Sequence, residues 1–226
     1  MSSPTAERGV APRARIEGRL WQTLGMLAAL LVAGALLVWA VGDEALGRHL
    51  SGLWWVDEHR RFLRWCTDAG LYPLYGLFLV LLLLGWRLRQ PLWLAVGRAY
   101  LFAVLGGAFV LVRVLKIGIG RLRPDATPDE LPTTWWARFT DSDFHSFPSG
   151  HAADVFTGAI CLAVLLPRPW MRAYALGYAL LIGLTRVLLA KHWPSDVLGG
   201  AALAGLCCAV ALHLSLRRLP PGTPPR

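Results

Sequence analysis

Apolar residues in this chain fall into six runs that are separated by short stretches rich in arginine, proline and tryptophan. Long runs with few charges are typical of helices that cross the hydrocarbon core of a membrane. The six predicted helices are 20–41, 71–86, 92–115, 150–166, 173–189 and 196–216. The pattern therefore predicts an all-α integral membrane protein with about six transmembrane helices.

The first apolar run, 20–41, has the position of a signal peptide. It is too long for a signal-peptide core and has no small-x-small cleavage site, so it is predicted to be a transmembrane helix. Residues 1–19 are polar, carry four arginines and are expected to be a disordered cytoplasmic tail. The Pro-rich residues 217–226 are expected to be a second tail, which leaves 20–216 as one membrane domain.

The segment 43–70 mixes apolar and charged residues and contains Trp54 and Trp55. Because tryptophan is enriched at the level of the lipid headgroups, this segment is predicted to be amphipathic and to lie in the membrane interface. Its role stays open at this point.

Composition supports the membrane class, since 55% of the residues are hydrophobic, 16% are charged and the mean hydropathy is +0.47. The net charge of +9 could indicate a nucleic-acid partner, but no soluble domain carries a basic tract with interleaved aromatic residues, so nucleic acid is excluded. Much of the positive charge stands at the ends of the apolar runs, as in cytoplasmic loops. With six spans, both termini are predicted to be cytoplasmic, and 116–149 and 191–195 external. The four cysteines have neither disulfide nor metal spacing.

The fourth apolar run opens with Pro148-Ser149-Gly150-His151. Pro148 cannot lie inside a helix and the Ser149 hydroxyl is a preferred N-cap, so a helix is predicted to begin at Ser149. The N–H groups of a helix N-terminus bind anions. Gly150 lets an anion approach the backbone, and His151 can offer it a proton. Taken alone, the tetrapeptide fits an ordinary capped helix with a surface histidine equally well.

Three cations, Lys116, Arg123 and Arg186, are predicted at the same membrane face as this helix start. Lys116 and Arg186 lie at or inside apolar runs, where an ionisable side chain costs roughly 2.5 to 3.5 kcal/mol and is usually functional or paired. Cations that converge on one helix N-terminus would repel each other unless an anion joined them. Phosphate is the natural candidate, because guanidinium groups pair with its oxygens in a bidentate manner.

His192 and Asp196 stand four residues apart at the start of the sixth apolar run. They would share one helix face if the helix extended back to His192, whereas Pro194 favours a pairing across the helix start. In either arrangement the carboxylate can accept a proton from one ring nitrogen and leave the other nitrogen free to attack. Beside Arg186, we interpret this pair as catalytic.

These stretches resemble the three signature motifs of the type 2 phosphatidic acid phosphatase superfamily, over about residues 110–205. The matching motifs are Lys116-x6-Arg123-Pro124, Pro148-Ser149-Gly150-His151 and Thr185-Arg186-x5-His192-x3-Asp196. Thr185 stands where the family usually has serine, and it keeps the hydroxyl group.

The resemblance implies a six-helix membrane phosphatase that needs no metal and no other cofactor. It implies that His192 is the nucleophile that forms a phosphohistidine, that Asp196 orients it, and that His151 protonates the leaving group. The phosphoryl oxygens are then expected to be held by Lys116, Arg123, Ser149, Gly150 and Arg186. With the predicted orientation, the protein is expected to be a multi-pass inner-membrane protein whose active site faces the external, periplasmic side.

Two other functional classes fit part of the pattern. A transporter also carries charged residues in its helices, but here they cluster at one membrane face and no inverted repeat is visible. A vanadate-dependent haloperoxidase has a similar phosphate-like pocket, but such enzymes are soluble. The acidic pairs Asp43-Glu44 and Asp57-Glu58 could suggest a metal site, yet they stand among mixed charges and no metal is expected.

The implied partner is a lipid phosphate in the membrane, and its identity stays open. The candidates are undecaprenyl diphosphate, phosphatidic acid, phosphatidylglycerol phosphate and the 1-phosphate of lipid A. The residues around Gly120-Arg121-x-Arg123-Pro124 and around 144–152 are most similar to bacterial lipid phosphatases, the lipid A type included. Lipid A 1-phosphatase and undecaprenyl-diphosphate phosphatase are therefore the specific activities to be considered.

Overall fold

The structure of the protein is a computed structural model, and it describes residues 12–127, 134 and 136–219. The described residues form helices and connecting turns without a β-strand, which confirms the predicted all-α class. The helices are α1 Pro12–Val41, α2 Asp43–Ser51, α3 Trp54–Glu58, α4 Arg60–Ala69, α5 Tyr72–Arg87, α6 Pro91–Ala103, α7 Val112–Ile119, α8 Ala137–Thr140, α9 Gly150–Ala163, α10 Pro169–Leu188 and α11 Pro194–Arg217. A π-helical turn, Val104–Leu111, joins α6 to α7, and a short 3₁₀ turn, Ser142–Phe144, precedes α9.

Five helical stretches in the described part of the chain are long and apolar enough to cross a membrane. They are Arg13–Val41, Arg60–Arg87, Pro91–Ile119, Pro169–Leu188 and Pro194–Arg217, and α9 is a shorter apolar helix. Each predicted apolar run thus corresponds to a helix, and the protein is a multi-pass membrane protein.

The short helix α9 lies at the centre of the bundle. It packs mainly against α10 and α11, and it also touches α1, α5 and α6. Its side chains Val155, Phe156 and Ile160 are fully buried. Because protein surrounds α9 on most sides, its 14 residues need not match the thickness of the bilayer.

Two close contacts hold α11 against its neighbours. A Cβ at Gly200 would lie 2.4 Å from the Ser149 carbonyl oxygen, and one at Gly205 would lie 2.8 Å from Leu27 Cδ2. Glycine at these positions lets the helices approach closely, as the small-residue pattern of α11 indicates. The Gly200 contact joins α11 to the start of α9.

The structure differs from the sequence-based expectation at the N-terminus. Helix α1 begins at Pro12, so residues 12–19 are helical and the prediction of a disordered tail over 1–19 is wrong for this part. Ile16 is buried, and an Arg19 guanidinium nitrogen donates to the Leu165 carbonyl oxygen at 3.3 Å. These contacts stabilise the additional turns. Residues 1–11 and the end of the predicted Pro-rich tail, 220–226, lie outside the described residues.

The segment 43–70 folds into three short helices, α2 to α4. Helix α4 continues with little interruption into α5, so the second span is longer than predicted and begins within this segment. Leu63 and Thr67 of α4 are buried while Trp65 is exposed, so α4 is amphipathic, as predicted. Helix α2 packs against α1, α10 and α11, the last two of which flank the turn that carries His192.

Candidate active site

The three sequence motifs meet at one end of the bundle. Lys116, in the last turn of α7, donates from Nζ to the His145 carbonyl oxygen at 2.9 Å. The Ser149 N–H donates to the Asp196 carbonyl oxygen at 2.9 Å. One side-chain contact therefore joins the end of α7 to the segment before α9, and one backbone contact joins the start of α9 to the start of α11. The three motifs were predicted to lie at the same membrane face.

The start of α9 has the predicted capped geometry. Ser149 is the N-cap residue, and its hydroxyl oxygen accepts from the Ala152 N–H at 3.4 Å. The Ser149 side chain is fully buried and serves this helix start. The N–H groups of Gly150 and His151 have no acceptor inside α9, because the first turn of a helix leaves its donors unpaired. These two groups are the ones that α9 offers to an anion.

Two guanidinium groups beside this helix start are incompletely paired. The Nε atoms of Arg123 and Arg186 are buried and have no hydrogen-bond partner among the described residues. A buried donor without a partner is costly, most of all on a charged group. An anion between Arg123, Arg186 and Lys116 would satisfy these donors and reduce the repulsion of the cations.

A tight turn between α10 and α11 carries His192. The N–H groups of Lys191 and His192 both donate to the Arg186 carbonyl oxygen, at 3.0 and 3.2 Å. Ala190 takes a left-handed conformation with φ of 55°, which is strained for a residue with a side chain. The turn places the His192 ring next to Arg186 and buries it to 2% exposure.

His192 faces Asp196 across the start of α11, because the helix begins at Pro194 and does not extend back to the histidine. His192 Nδ1 lies 3.6 Å from Asp196 Oδ2, and it has no hydrogen-bond partner among the described residues. That distance is too long for a hydrogen bond. A small movement of either side chain would bring the two atoms into hydrogen-bond range.

Burial lowers the pKa of His192 to about 4, and the charges of Lys116 and Arg186 act in the same direction, while Asp196 opposes them. At neutral pH the imidazole is therefore uncharged, and one ring nitrogen carries a free lone pair. An uncharged imidazole is the form that can act as a nucleophile.

His151 lies on the wall of a cavity of about 580 Å³. Arg186, His192, Lys116 and Arg123 all lie close enough to interact with His151 electrostatically. The nearest carboxylate is Asp68 of α4, with Oδ1 3.9 Å from His151 Nε2, beyond hydrogen-bond range.

The cavity is lined by both cationic and apolar side chains. Its lining residues are Leu71, Tyr75, Val104, Ala108, Phe109, Val112, Arg113, Lys116, Arg123, Ser142, His145, Gly150, His151 and Asp154. Four of the predicted site residues thus line the cavity, namely Lys116, Arg123, Gly150 and His151. The other four predicted site residues are not among the lining residues, namely Ser149, Arg186, His192 and Asp196.

The Asp196 carboxylate is fully buried and accepts three hydrogen bonds. Oδ1 accepts from an Arg121 guanidinium nitrogen at 2.6 Å. Oδ2 accepts from the Ser146 hydroxyl at 2.5 Å and from the Trp193 N–H at 2.8 Å. Neither Arg121 nor Ser146 was assigned a role from the sequence. Arg121 stands two residues before Arg123, and Ser146 stands two before Pro148, so proximity to the motifs was the available signal.

The acidic residues that could have suggested a metal site have other partners. Asp43 pairs with Arg121, and Asp125 pairs with Lys191. Within the described ranges, no three His, Cys, Asp or Glu side chains converge in a group that could hold a metal ion. Metal independence itself remains a prediction about the reaction.

The protein is thus a multi-pass helical membrane protein in which cations and a helix N-terminus surround a buried, neutral histidine. The model of the PAP2 superfamily matches residues 96–220, which is more than half of the chain. The chain therefore belongs to the PAP2 superfamily.

Curated relatives match the chain over part of their length. A lipid A 1-phosphatase of Rhizobium etli is 36% identical over 116 residues, covering 51% of this chain and 49% of the relative. An undecaprenyl-diphosphatase of Sulfolobus acidocaldarius is 37% identical over 93 residues, covering 41% of this chain and 43% of the relative. The chain spans about half the length of the curated lipid A 1-phosphatases that it matches in Rhizobium.

A solved structure shares the fold. The crystal structure of Aquifex aeolicus LpxE aligns with a TM-score of 0.55 and 24% sequence identity, covering 76% of this chain and 94% of that one. At this identity the likeness concerns the fold of the helices, which agrees with the predicted bundle.

The environment of His192 predicts its titration. At pH 5.5 a histidine with an ordinary pKa near 6.5 is about 90% protonated, whereas His192, with its pKa lowered to about 4, should remain neutral. Its ring ¹⁵N chemical shifts in histidine-labelled protein, assigned by the loss of the signal in His192→Asn, would measure this. As the pH falls, the neutral form should be lost only near pH 4. Protonation of that signal near pH 6.5 would contradict the desolvated environment.

Proposed function

We propose that the protein is an integral-membrane lipid phosphatase that hydrolyses a phosphate ester of a lipid through a phosphohistidine, without a metal ion. The observation that carries the proposal is the pair of buried, unpartnered Nε donors of Arg123 and Arg186 beside the neutral His192. A phosphoryl group is the ligand that these donors and the α9 N-terminus fit best. Membership of the PAP2 superfamily and the names of the relatives support the same activity.

In the first step, Nε2 of His192 attacks phosphorus, and the bond from phosphorus to the leaving oxygen breaks. Asp196 faces Nδ1, where a proton must reside if Nε2 is to carry the free lone pair. The carboxylate orients the ring and stabilises the positive charge that develops when the N–P bond forms. His151, on the cavity wall, donates a proton to the departing oxygen.

In the second step, water attacks phosphorus and His151 accepts its proton, while the N–P bond breaks, so that inorganic phosphate leaves and His192 is restored. Phosphoryl transfer depends on positioning and on neutralising the charge of the equatorial oxygens. Lys116, Arg123 and Arg186 supply positive charge, and the N–H groups of Gly150 and His151 supply oriented dipoles. Ser149 contributes by fixing the start of α9 through its cap.

The cavity also fits a lipid substrate. Besides its cationic residues it is lined by apolar side chains of α7 and of the π-helical turn, among them Val104, Phe109 and Val112. A phosphate bound by the cationic residues would leave apolar lining side chains for the lipid portion. This arrangement suits a headgroup phosphate that is held at the membrane surface.

Two residues of the cavity wall favour one kind of substrate. Asp154 lies one turn after His151, and its Oδ2 accepts from the Tyr75 hydroxyl, while its Oδ1 is buried and has no partner among the residues that the structure describes. A carboxylate next to the leaving group would repel a departing phosphate but can accept from a hydroxyl or amide N–H. We therefore favour a phosphomonoester on a sugar headgroup, as in the 1-phosphate of lipid A, over a lipid diphosphate.

The activity is tested by phosphate release from a lipid phosphomonoester in detergent with EDTA present. We expect turnover that survives chelation and that vanadate, a mimic of the trigonal phosphoryl group, inhibits. His192→Ala should lose more than about 1,000-fold in kcat, and no ³²P-labelled phosphoenzyme should be trapped by rapid quenching. His151→Ala should lose much less activity on an aryl phosphate than on a lipid alkyl phosphate, because the aryl leaving group needs no proton in the first step.

Strict dependence on added magnesium would contradict the metal-free reaction. Equal losses for the two histidine variants on alkyl and aryl esters would contradict the division of their roles.

The substrate preference is tested by the Asp154→Asn variant. The wild type should have a higher kcat/KM for the 1-phosphate of lipid A than for undecaprenyl diphosphate. Removing the carboxylate charge should shift this ratio towards the diphosphate by about tenfold, since one repulsive charge is lost near the leaving group. Tyr75→Phe is the matched control, because it removes the hydroxyl partner and keeps the charge. A ratio that is unchanged in Asp154→Asn would exclude this role.

We further propose that the site faces the external side of the inner membrane. In a variant without native cysteines, Thr134→Cys should react with an impermeant thiol reagent in spheroplasts, and Gln90→Cys, in the turn between α5 and α6, should react only after lysis. The reverse pattern would place the site on the cytoplasmic side.

A further inference from the structure

Asp43, the first residue of α2, contacts the active site from outside the part of the chain that the family model matches. Its Oδ1 accepts from the Ser195 N–H at 2.9 Å. Its Oδ2 accepts from the Ser195 hydroxyl at 2.5 Å and from an Arg121 guanidinium nitrogen at 2.5 Å. The Asp43 carboxylate thus binds the first turn of α11, one residue before Asp196.

Arg121 connects the two carboxylates. One of its terminal nitrogens donates to Asp43, and the other donates to Asp196 Oδ1 and to the Ser195 hydroxyl, both at 2.6 Å. The Asp43 side chain is 18% exposed and the Arg121 side chain 29%, so solvent screens this arrangement only in part. A planar guanidinium can hold two carboxylates at fixed positions, which a single ammonium group cannot do.

Helix α2 is packed closely enough to keep Asp43 in place. A Cβ at Gly47 would lie 2.9 Å from Trp193 Cε3, so the helix backbone rests on the Trp193 ring. The Trp193 Nε1–H donates to the Leu122 carbonyl oxygen at 3.0 Å, and the Arg121 guanidinium lies 5.9 Å from the ring centre. The loop that carries Arg121 is therefore held by the same residue that α2 contacts.

We propose that Asp43 and Arg121 are positioning residues that hold Asp196 in place and leave it an effective negative charge towards His192. The triad of Asp43, Arg121 and Asp196 has a formal charge of −1. Without Asp43, the guanidinium would neutralise Asp196 alone, and the triad would be neutral. His192 would then face Lys116 and Arg186 with less support for the positive charge that forms on its ring during attack.

The effect on kcat that we expect from this inference rests on the proposed phosphohistidine reaction. Asp43→Asn keeps the size of the side chain and one oxygen for the Ser195 N–H, and it removes the charge. Glu44→Gln is the matched control, since Glu44 is the next residue in the same helix and loses its pairing with Arg48, 2.9 Å away, without touching α11. Both variants remove one negative charge from the first turn of α2.

We expect Asp43→Asn to lower kcat about tenfold, while KM and the inhibition constant of inorganic phosphate, which binds without an N–P bond, change by less than about twofold. Glu44→Gln should change none of these quantities. Asp43→Glu should recover part of kcat, because it restores the charge. A merely structural role would lower the melting temperature and the fraction of folded enzyme, and would leave kcat per vanadate-binding site unchanged.

A second measurement does not require turnover. In histidine-labelled protein without substrate, Asp43→Asn should shift the His192 ring ¹⁵N resonances, and Glu44→Gln should leave them in place. A shift in a protein that hydrolyses no lipid phosphate would retain the positioning role and reject the proposed function. If Asp43→Asn folds poorly, Arg121→Lys tests the positioning part of the triad, because an ammonium group cannot hold both carboxylates, and it should also move the His192 resonances. Unchanged His192 resonances and an unchanged kcat in these variants would overturn the inference.

Discussion

The buried carboxylate of Asp196 is the interaction on which the site depends. Its two oxygens accept from Arg121, from the Ser146 hydroxyl and from the Trp193 N–H, and its own carbonyl oxygen accepts from the Ser149 N–H. A charged carboxylate without solvent is tolerated only if it is paired and hydrogen-bonded, so each of these donors is needed. The loop after α7, the start of α9 and the start of α11 are thereby fixed to one another, and His192 is placed between them.

The cations beside Asp196 lack a full set of hydrogen-bond acceptors. Asp196 has its full set of donors, whereas Arg123 and Arg186 keep buried Nε atoms without acceptors among the described residues. The Asp196 carboxylate thus finds its donors within the protein, whereas Arg123 and Arg186 keep donors that an external anion could use. Because the donors are already in place, the proposed binding of a phosphoryl group would need little reorganisation, and this is the condition under which electrostatic stabilisation is most effective.

The sequence could predict those features that depend on local chemistry. The apolar runs predicted the spans, and Pro148 and Ser149 predicted where α9 begins, because backbone restriction and capping act over a few residues. The meeting of Arg123, Arg186 and His192 followed from motif order and topology. The start of α1 at Pro12 was missed because it depends on tertiary contacts of Ile16 and Arg19, which a polar stretch does not reveal.

Besides the start of α1, the sequence could not predict contacts between segments that are far apart along the chain. Asp43 is separated from Ser195 by 152 residues, and it stands in a segment that looked like an interfacial loop of mixed charge. Nothing in its neighbourhood distinguishes it from Glu44, which forms an ordinary exposed pair within its own helix. The difference arises from packing alone: the missing side chain at Gly47 lets α2 approach Trp193.

This packing also explains why a site built from motifs in the second half of the chain needs the first half. The family model begins at residue 96, yet the carboxylate that shares Arg121 with Asp196 comes from residue 43. Helix α2 lies between α1, α10 and α11, so the position of Asp43 is set by the first span as well as by the last two. If Asp43 and Arg121 position Asp196 as proposed, a change in the packing of α1 would reach His192 through them, although none of the predicted site residues lies in α1.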